Sequence, residues 1–483
     1  IGRSSAPIEA ATLALHFLRP DLSARRLLFG PQVAFGLISL AGVLVAAIMD
    51  LGLAVTLASL VTGVVFGALG ILRLACLPHA LAVPATLEPP RRADGDLATY
   101  SVLVPLYDEA AVIAGLVDAL GALDYPPAKL EVLLILERDD AATRAALDAI
   151  ALPPHMRVVT VPPGSPRTKP RALNYALQQA SGDLVVIYDA EDRPEPGQLR
   201  EAEYRFAITG DHLACLQARL NIYNPRQSLV TRQFALEYSA LFDLILPTLV
   251  KLGWPLPLGG TSNHFPRRLL LDAGGWDPFN VTEDAYLGLR LARLGFSTGM
   301  LSSTTWEEAP IEPRQWLGQR TRWLKGWMQT WLVHMRHPWR LLRDLGAWRW
   351  IGVQLYLGSL VASALLAPWF IALLLADAIA PGWLIARGGA WAQWLWWIAA
   401  GNLVAGYFGA IALTAIAGAR RHRLALDALL LPAYWLAISI AAYRALVELF
   451  RRPSHWEKTR HGLAGARMPQ ATSASTQRKM PKS

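Results

Sequence analysis

The sequence predicts an α/β domain inserted between transmembrane helices, with amphipathic helices at the membrane surface. Of the 483 residues, 53% are apolar and only 17% are charged, compared with roughly 25% charged in an average soluble domain. Long uncharged apolar runs lie on both sides of a stretch, from about Thr99 to Arg349, that has an ordinary soluble composition. Within that stretch, short apolar runs alternate with segments of helical spacing, which is typical of parallel strands joined by helices.

Composition also limits the kinds of protein that this chain can be. It excludes a disordered or fibrous protein, and two cysteines, Cys76 and Cys215, are too few for a disulfide scaffold or a cysteine zinc site. The net charge of +9 would suit nucleic acid, phosphate-bearing substrates or an anionic membrane face. Because the chain has 18 tryptophans and a high apolar fraction, we favour the membrane and expect no nucleic-acid partner.

The apolar runs predict where the chain meets the membrane. Residues 31–48 and 53–72 form a helical hairpin, since each run can cross a hydrocarbon core of ~30 Å. Residues 350–376 and 391–417 are further spans, and 424–450 is a weaker one. We divide the chain into an arm (1–30), a transmembrane hairpin (31–77), a linker (78–98), a soluble domain (99–310), interfacial helices (311–349), a C-terminal transmembrane region (350–450) and a tail (451–483) that we expect to be disordered at its end.

Basic residues predict the orientation. Arginines flank the hairpin on the side away from its short loop, namely Arg25, Arg26, Arg73, Arg91 and Arg92. This bias predicts an inner or plasma membrane protein with a cytosolic soluble domain. The charge-free core of the last run, 428–443, is short for a span and contains Pro432, which removes a backbone donor. We therefore expect 424–450 to be a broken or re-entrant element that returns the tail to the cytosol.

The soluble domain contains four predicted strands and two acidic clusters. The predicted strands are 101–105, 132–136, 157–161 and 184–188, and helices are predicted at 110–120 and 172–180. One cluster (Glu137, Asp139 and Asp140) follows the second strand, and the other (Asp189, Glu191 and Asp192) follows the fourth. Because parallel sheets bind ligands at the carboxyl ends of their strands, we expect a site at this edge.

The second acidic cluster has two interpretations. Gathered carboxylates raise one another's pKa unless a cation neutralises them. A hard Mg²⁺ or Mn²⁺ ion, held by one or two carboxylates and by substrate phosphates, would do so. Alternatively, the acidic residues cap a turn before Pro194. The tetrapeptide alone does not decide between them.

Further segments could complete such a site. Asp284, which precedes the helical stretch 285–294, could act as a general base or cap the helix. Residues 259–263 form a glycine turn, and 313–333 carries tryptophans at near-helical spacing, which alone predicts an amphipathic helix on the membrane surface with Arg and Lys toward the headgroups. The run 234–254 is either another interfacial helix or a core helix. Gln217 and His264 are plausible pocket residues, although a lone histidine more often lies hydrogen-bonded in a core.

Five segments occur in an order that resembles the membrane-embedded family 2 glycosyltransferases, the group that contains cellulose, chitin and hyaluronan synthases. The resemblance runs from about Val102 to Lys325. It rests on 104–109 (VPLYDE), 168–174 (TKPRALN), 189–191 (DAE), 282–284 (TED) and 319–323 (QRTRW). The chain departs from the family's usual DxD motif, because Glu191 takes the place of the second aspartate.

The resemblance implies a GT-A-like fold of Rossmann type and an inverting transfer of a sugar from a nucleotide-diphosphate donor, with UDP favoured. It implies Asp284 as the catalytic base, with Glu283 beside it. The implied donor-binding residues are Asp140, preferred to Asp139, with Lys169, Asp189, Gln319 and Arg322. The implied acceptor-binding residues are Trp323, Gly260 and Thr261. Asp189, with Glu191 or Asp192, would hold Mg²⁺ or Mn²⁺.

The acceptor is left open between two substrate classes. A growing polysaccharide that is exported would pass polar and aromatic residues such as Gln354, Tyr356, Trp394 and Asn402. A single-transfer enzyme would instead use a ceramide-type or polyprenyl-type lipid. The expected partners are therefore a nucleotide sugar, a glycan or lipid acceptor, membrane lipids, and a second copy of the chain or an export partner.

Two other classes of protein are disfavoured. A transporter with a nucleotide-sensing domain is disfavoured because the first four apolar runs contain no central charge. An inactive membrane anchor is disfavoured by the joint presence of the five motifs. Residues 456–459 (WEKT) resemble the family's segment that returns to the mouth of the active site.

Overall fold

The soluble domain is built on one mixed β-sheet in a computed structural model that describes residues 6–82, 90–380, 382 and 389–456. The strands are β1 (Tyr100–Leu106), β2 (Leu130–Glu137), β3 (Met156–Val161), β4 (Leu184–Ile187), β5 (Arg193–Pro194), β6 (Leu213–Ile222), β7 (Asn263–Pro266) and β8 (Ser297–Glu307). Within the described residues their order in the sheet is β3-β2-β1-β4-β7-β6-β8-β5. The four predicted strands fall on β1 to β4, which are mutually parallel, so their carboxyl ends share one edge.

The sheet is buried on both faces. Along β1, Val102 and Val104 pack into one core, and Leu103 packs into the core on the opposite face. Strands covered on both sides become continuous apolar runs, and such runs are the signal that predicted β1 to β4. The sequence did not predict β6, β7 and β8. Strand β7 is antiparallel to β4. The chain enters β7 at the carboxyl end of β4, where the Ser262 amide donates to the Ile187 carbonyl at 2.7 Å.

Helices cover the sheet and continue into the apolar regions. They are α1 (Ala6–Leu18), α2 (Gly30–Met49), α3 (Leu51–Leu81), α4 (Ile113–Gly121), α5 (Ala141–Asp148), α6 (Lys169–Leu177), α7 (Gln198–Thr209), α8 (Leu229–Ala240), α9 (Leu246–Lys251), α10 (Arg267–Asp272), α11 (Glu283–Arg293), α12 (Pro313–His334), α13 (Pro338–Val353), α14 (Ser359–Ile379), α15 (Gly389–His422) and α16 (Leu431–Arg451). Single π-helical segments join α8 to α9 and α13 to α14.

Six helical segments within the described residues are long and apolar enough to cross a membrane. They are Gly30–Met49, Gly52–Leu81, Leu229–Lys251, Pro338–Ile379, Gln393–His422 and Leu426–Arg451. Helix α2 has no buried residue, as expected for a helix that faces lipid. The predicted linker lies partly outside the described residues, at 83–89, and 457–483 of the predicted tail also lies outside them.

The segment from Leu229 to Lys251 is a core element, which settles the choice that the sequence left open for 234–254. In its most apolar window, 67% of the residues are buried in the protein. On one side Ser239 lies 3.4 Å from Asn221 of β6, and on the other Thr248 lies 3.0 Å from His79 of α3. The segment therefore joins the sheet to the apolar helices.

Helix α12 is partly covered by protein. Two of its basic residues point into the protein: Arg320 pairs with Glu237 at 2.8 Å, and Lys325 is fully buried and pairs with Glu448 of α16 at 3.1 Å. The physical reason is that α8 and α16 lie against α12, so these two side chains find protein partners instead of headgroups. The assignment of 313–333 to the membrane surface stays a prediction.

The last apolar run contains no break at Pro432. A short 3₁₀ turn over Leu426–Leu430 leads into α16, and Pro432 lies in the first turn of that helix. Proline is favoured in a first turn, because the backbone N–H that it lacks would have no partner there. The helix is then continuous to Arg451, which corrects the expectation of a broken element.

Both ends of α16 nevertheless contact the soluble domain. Near its start, the Trp316 indole of α12 donates to the Tyr434 hydroxyl at 3.0 Å. After its end, Lys325 of α12 donates to the Arg452 carbonyl at 3.3 Å. Because α16 lies along α12 in this way, we expect the tail to remain on the side of the soluble domain.

This topology can be tested by cysteine labelling in intact cells. The native Cys76 and Cys215 are buried, so they give little background. Ser454→Cys should resist an impermeant external reagent and react only after permeabilisation. Asp50→Cys, in the exposed loop between α2 and α3, is the matched control and should react from outside. External labelling at position 454 would contradict the expected topology.

Candidate active site

A cavity of about 410 Å³ lies at the carboxyl edge of the parallel strands. Its walls come from the ends of β1, β2, β4 and β8, from the glycine turn before β7, from the start of α11 and from one face of α12. The cavity therefore brings together the second acidic cluster, the glycine turn, the TED segment and the QRTRW segment, which are far apart in the sequence.

Lys169 connects three of these elements. It is the first residue of α6, and its Nζ donates to Asp189 Oδ1 at 2.5 Å and to the Gly260 carbonyl at 2.7 Å. Although burial lowers the pKa of Lys169, the nearby carboxylates, Asp189 first, raise it overall. Lys169 is thus a permanent cation that fixes Asp189 and the glycine turn at one point.

Carboxylates dominate the electrostatics of the cavity. Burial and the nearby Asp189 raise the pKa of Glu191 to about 8. Burial and Asp284 raise the pKa of Glu283 to about 8 as well. For Glu307, at the end of β8, burial followed by Glu191 raises the pKa well above its usual range. The acidic groups therefore oppose one another's ionisation.

This charge distribution fits a divalent cation that is bound together with an anionic ligand. Of the lining side chains, seven are carboxylates and three are cations. Among the described residues, no group of three or more His, Cys, Asp or Glu side chains is placed to hold a metal by itself. Asp189 and Glu191 both line the cavity, and one or two carboxylates suffice for Mg²⁺ or Mn²⁺ when phosphate oxygens and waters complete the coordination.

Asp192 takes part in the turn, and its assignment as a metal ligand stays a prediction. Its Oδ2 accepts from the Asp189 backbone amide at 2.7 Å and lies within hydrogen-bond distance of the Thr261 hydroxyl. Asp192 is buried and is not among the residues that line the cavity. Both interpretations of the acidic cluster therefore apply, to different residues: Asp192 holds the turn, and Asp189 and Glu191 face the cavity. Thr261 reaches the cavity wall, but its hydroxyl is engaged in the turn.

The two aspartates of the first acidic cluster make contacts within the protein. Asp140 caps α5, accepting from the Thr143 amide at 3.1 Å and from the Asp108 amide at 2.5 Å. Asp139 pairs with Arg167 at 2.5 Å on the surface. Neither aspartate is among the residues that line the cavity, so their assignment as donor-binding residues stays a prediction.

The strand-end carboxylate that does line the cavity is Glu137. Its two oxygens accept from the buried Arg171 at 2.7 and 2.8 Å. Beside it, the Arg167 guanidinium lies 4.3 Å from the centre of the Tyr107 ring, which also lines the cavity. Sequence reasoning missed Tyr107 and Arg167 as cavity residues, although each lies in or next to a segment of the family pattern.

The glycine turn is held by the buried Gln217 and approaches Asp284. The Gly259 amide donates to Gln217 Oε1 at 2.7 Å, and Gln217 Nε2 donates to the Thr261 carbonyl at 3.0 Å. A Cβ atom at position 260 would lie 3.3 Å from Asp284 Oδ2, so glycine keeps this space open. His264, in contrast, is a core residue that lies 2.6 Å from the Tyr100 hydroxyl.

Asp284 faces the cavity and is not the cap of its helix. Thr282 occupies the cap position of α11, and Asp284 Oδ1 accepts from the adjacent Ala285 amide at 2.7 Å. Burial raises the pKa of Asp284, which makes its carboxylate a better proton acceptor. Of the two interpretations, this geometry favours the base.

The QRTRW segment supplies one turn of α12 to the cavity. Gln319 Oε1 and Arg322 Nε are buried there, and neither has a hydrogen-bond partner among the described residues. The Trp323 ring stacks on Tyr238 with a centroid distance of 6.3 Å. The Arg322 guanidinium lies 4.3 Å from the centre of the Trp456 ring, so the chain after α16 does reach the cavity mouth. Glu457 to Thr459 lie outside the described residues.

The soluble domain is similar to proteins of one enzyme family. The family described as "Glycosyltransferase like family 2" matches residues 98–326. A probable glycosyltransferase of Bacillus subtilis (strain 168) is 26% identical over 237 residues, which cover 48% of this chain and 56% of that protein. A beta-monoglucosyldiacylglycerol synthase of Synechocystis sp. is 29% identical over 290 residues (59% and 57%). The UDP-forming cellulose synthase 1 catalytic subunit of Komagataeibacter xylinus is 28% identical over 243 residues (49% and 31%).

These relatives are longer than the region they share with this chain. The chain spans about half the length of the first curated relatives that it matches. Among solved structures, a mannosyltransferase from Pyrobaculum calidifontis in complex with GDP-Man and Mn²⁺ aligns with a TM-score of 0.50 at 20% identity, over 83% of this chain and 99% of that one. At this identity the likeness concerns the fold, and it confirms the predicted α/β class of GT-A type.

The raised carboxylate pKa values predict how stability depends on pH. Because the pKa of Glu191 rises from 4.5 to about 8 on folding, the folded state binds the extra proton between these values. The stabilisation is complete below the unfolded pKa and is lost as the pH rises through 8. Glu191→Gln, which mimics the protonated form, should therefore raise Tm relative to wild type increasingly between about pH 5 and pH 8, with no further increase above that range.

Thermal unfolding in the presence of a chelator measures this difference. The exposed Asp148→Asn is the matched control and should follow the wild-type profile. A constant difference in Tm across the range would show that burial and Asp189 do not raise the Glu191 pKa.

Proposed function

We propose that this chain, whose residues 98–326 are a family 2 glycosyltransferase domain, transfers a sugar from a nucleotide-diphosphate donor to a hydroxyl acceptor at the membrane, with inversion at the sugar. The single observation that carries the proposal is the convergence of the motif residues on one cavity. Lys169, Asp284 and Arg322 line it together with a tryptophan face. This convergence also leaves the transporter and anchor alternatives without support.

The donor diphosphate would bind between Lys169 and Arg322. Both are cations in the cavity wall, and the unpaired Nε of Arg322 offers a donor for a phosphate oxygen. Asp189 and Glu191 would hold Mg²⁺ or Mn²⁺, which when bound offsets the negative charge of the leaving diphosphate. The mannosyltransferase that shares the fold was solved with Mn²⁺ and a nucleotide sugar, which supports this proposal.

Asp284 would serve as the general base. Its Oδ2 takes the proton of the acceptor hydroxyl as the acceptor oxygen forms a bond to the anomeric carbon. The bond from that carbon to the diphosphate breaks, and the nucleoside diphosphate leaves with the electron pair. Attack from the face opposite the diphosphate inverts the anomeric centre. Glu283 lies beside the base, and burial followed by Asp284 raises the pKa of Glu283 to about 8.

Trp323 would hold the acceptor, and Gln319 would contact the nucleotide-sugar donor. An indole face suits the apolar face of a sugar ring, and stacking on Tyr238 fixes its orientation. Tyr107 and Glu137 also line the cavity, and the nucleoside would lie against them. We favour a uridine nucleotide, since the cellulose synthase relatives are named UDP-forming.

A growing polysaccharide is the first candidate acceptor. Of the four residues predicted along a glycan path, Tyr356 and Asn402 line a second cavity next to the active site. Gln354 instead accepts from the Trp331 indole at 3.0 Å, and Trp394 lies exposed on the outer surface. Two of the four residues predicted along the glycan path therefore line a cavity.

A membrane lipid is the second candidate acceptor. The second cavity is walled mainly by apolar residues of helices that are long enough to cross a membrane. The Synechocystis relative is named for a glycolipid product, and the Komagataeibacter relative is named for cellulose. Either acceptor would place the enzyme in an inner or plasma membrane with its catalytic domain in the cytosol, in agreement with the arginine bias at the hairpin.

Replacement of the base tests the chemical step. Asp284→Asn keeps the shape of the side chain but cannot take the proton, so turnover of labelled UDP-sugars should fall by about 10² to 10⁴-fold. Nucleotide affinity should persist, because the diphosphate contacts are intact. The exposed Asp272→Asn is the matched control and should keep wild-type turnover. Substantial turnover by Asp284→Asn would remove this residue from the base role.

Replacement of the three neighbouring acids tests the metal site. Asp189→Ala and Glu191→Gln should abolish the dependence of nucleoside-diphosphate binding on Mn²⁺, as measured by titration calorimetry with and without chelator. Asp192→Ala should lower Tm, since it removes the oxygen that accepts from the Asp189 amide, but should keep the response to Mn²⁺. If binding in wild type is indifferent to chelator, the proposed metal site is wrong.

A further inference from the structure

A second cavity, of about 260 Å³, lies between α3, α15 and α16 and the inner face of α12. It shares four wall residues with the active-site cavity, namely Leu241, Trp323, Trp327 and Tyr356. A molecule in the second cavity therefore approaches the same tryptophan that we assign to the acceptor. Most of its lining is apolar, which distinguishes it from the acidic active site.

Arg73 is a cation in the wall of this second cavity. It lies eight residues before the end of α3 at Leu81, or about 12 Å along the helix. The side chain crosses α15 at two glycines: a Cβ atom at position 406 would lie 2.7 Å from Arg73 Nη1, and one at position 409 would lie 3.9 Å from its Cδ. On the other side, its Cζ lies 5.8 Å from the centre of the Trp435 ring.

Arg73 forms no salt bridge among the described residues. The carboxylate in the same wall, Glu237, is already engaged: it pairs with Arg320 at 2.8 Å and accepts from the Tyr434 hydroxyl at 2.8 Å. A cation among membrane helices is costly unless an anion accompanies it, and such residues usually mark a ligand site. The second cavity therefore lacks one negative charge.

The position of Arg73 identifies the source of that charge. It lies near the end of α3 that joins the soluble domain, which is the level of lipid headgroups if α3 spans the membrane. Apolar walls suit acyl or prenyl chains, and a guanidinium binds phosphate oxygens in a forked geometry. A neutral glycan would satisfy neither the apolar walls nor the cation.

We propose that the second cavity binds a membrane lipid that carries a phosphate group, that Arg73 pairs with this phosphate, and that this lipid is the acceptor. The last part rests on the proposed function. The lipid chain lies along α3 and α15, and the headgroup passes Trp327 and Tyr356 to reach Trp323 and the base. Arg73 thereby selects the acceptor without taking part in the chemical step.

Native mass spectrometry of the full chain in detergent tests this site with defined lipids. Wild type should bind one equivalent of dioleoyl phosphatidic acid about tenfold more tightly than dioleoylglycerol, which lacks the phosphate. Arg73→Gln should weaken phosphatidic acid binding by about tenfold and leave dioleoylglycerol unchanged, and Arg73→Lys should retain part of the affinity. Arg343→Gln, on the exposed side of α13, is the matched control and should behave as wild type.

Several results would overturn the proposal. Equal affinity of wild type for the two lipids would do so without any variant, and so would unchanged phosphatidic acid binding by Arg73→Gln. Displacement of the lipid by excess inorganic phosphate would identify free phosphate as the ligand, and displacement by a soluble cello-oligosaccharide would identify a glycan path. Nucleotide binding should be the same in wild type and Arg73→Gln. Loss of nucleotide binding in wild type would instead refute the proposed function.

Discussion

The half-buried ion pair between Lys169 and Asp189 is the interaction on which the active site depends. Lys169 begins α6, Asp189 follows β4, and the Gly260 carbonyl that shares the ammonium group precedes β7. One cation thus fixes the point at which the parallel strands β1 to β4 meet β7, which is antiparallel to β4. The surrounding acids keep Lys169 charged despite its burial, because ionised neighbours raise its pKa more than desolvation lowers it. The same acids repel one another, so the site is completed only when further positive charge enters with the donor.

Helix α12 connects the active site to the apolar helices by direct packing. Its Gly326 packs against Thr282, where a Cβ atom would collide with the threonine side chain. Close packing at this point holds the start of α11, and hence Asp284, against the turn that carries Arg322 and Trp323. On its other faces α12 is fixed by Arg320 to α8 and by Lys325 to α16. Buried pairs of this kind add little net stability but penalise any other arrangement, since a displaced partner would leave a buried charge uncompensated.

The sequence predicted the structure best where a run of residues is compatible with only one environment. Strands β1 to β4 were predictable because strands buried on both faces must be continuously apolar. The comparisons confirm the fold class, and residues 98–326 match the family that the ordered motifs suggested. Which carboxylate of a cluster faces the cavity was not predictable, because Glu137 and Asp140 are both acidic and only the tertiary fold decides that one pairs with Arg171 and the other caps a helix. The burial of Arg320 and Lys325 on α12 was missed for a related reason: a helix with Arg and Trp on all sides has the same pattern whether its partners are headgroups or buried carboxylates.

Arg73 shows how a basic residue at the predicted end of a span can also belong to a site. The sequence predicted the second span to end at Leu72, so Arg73 became one of several basic residues flanking the membrane. The helix in fact continues to Leu81, which places Arg73 within the helix and next to a cavity. The two cavities therefore need charges of opposite sign. The active site has more carboxylates than cations, and the second cavity has a cation without a carboxylate to pair with it. The two cavities share the wall at Trp323. A donor that arrives with its metal would supply positive charge to the active site, and an acceptor that carries a phosphate would supply negative charge to the second cavity. The two phosphate groups would then be held apart while the reacting hydroxyl meets the sugar.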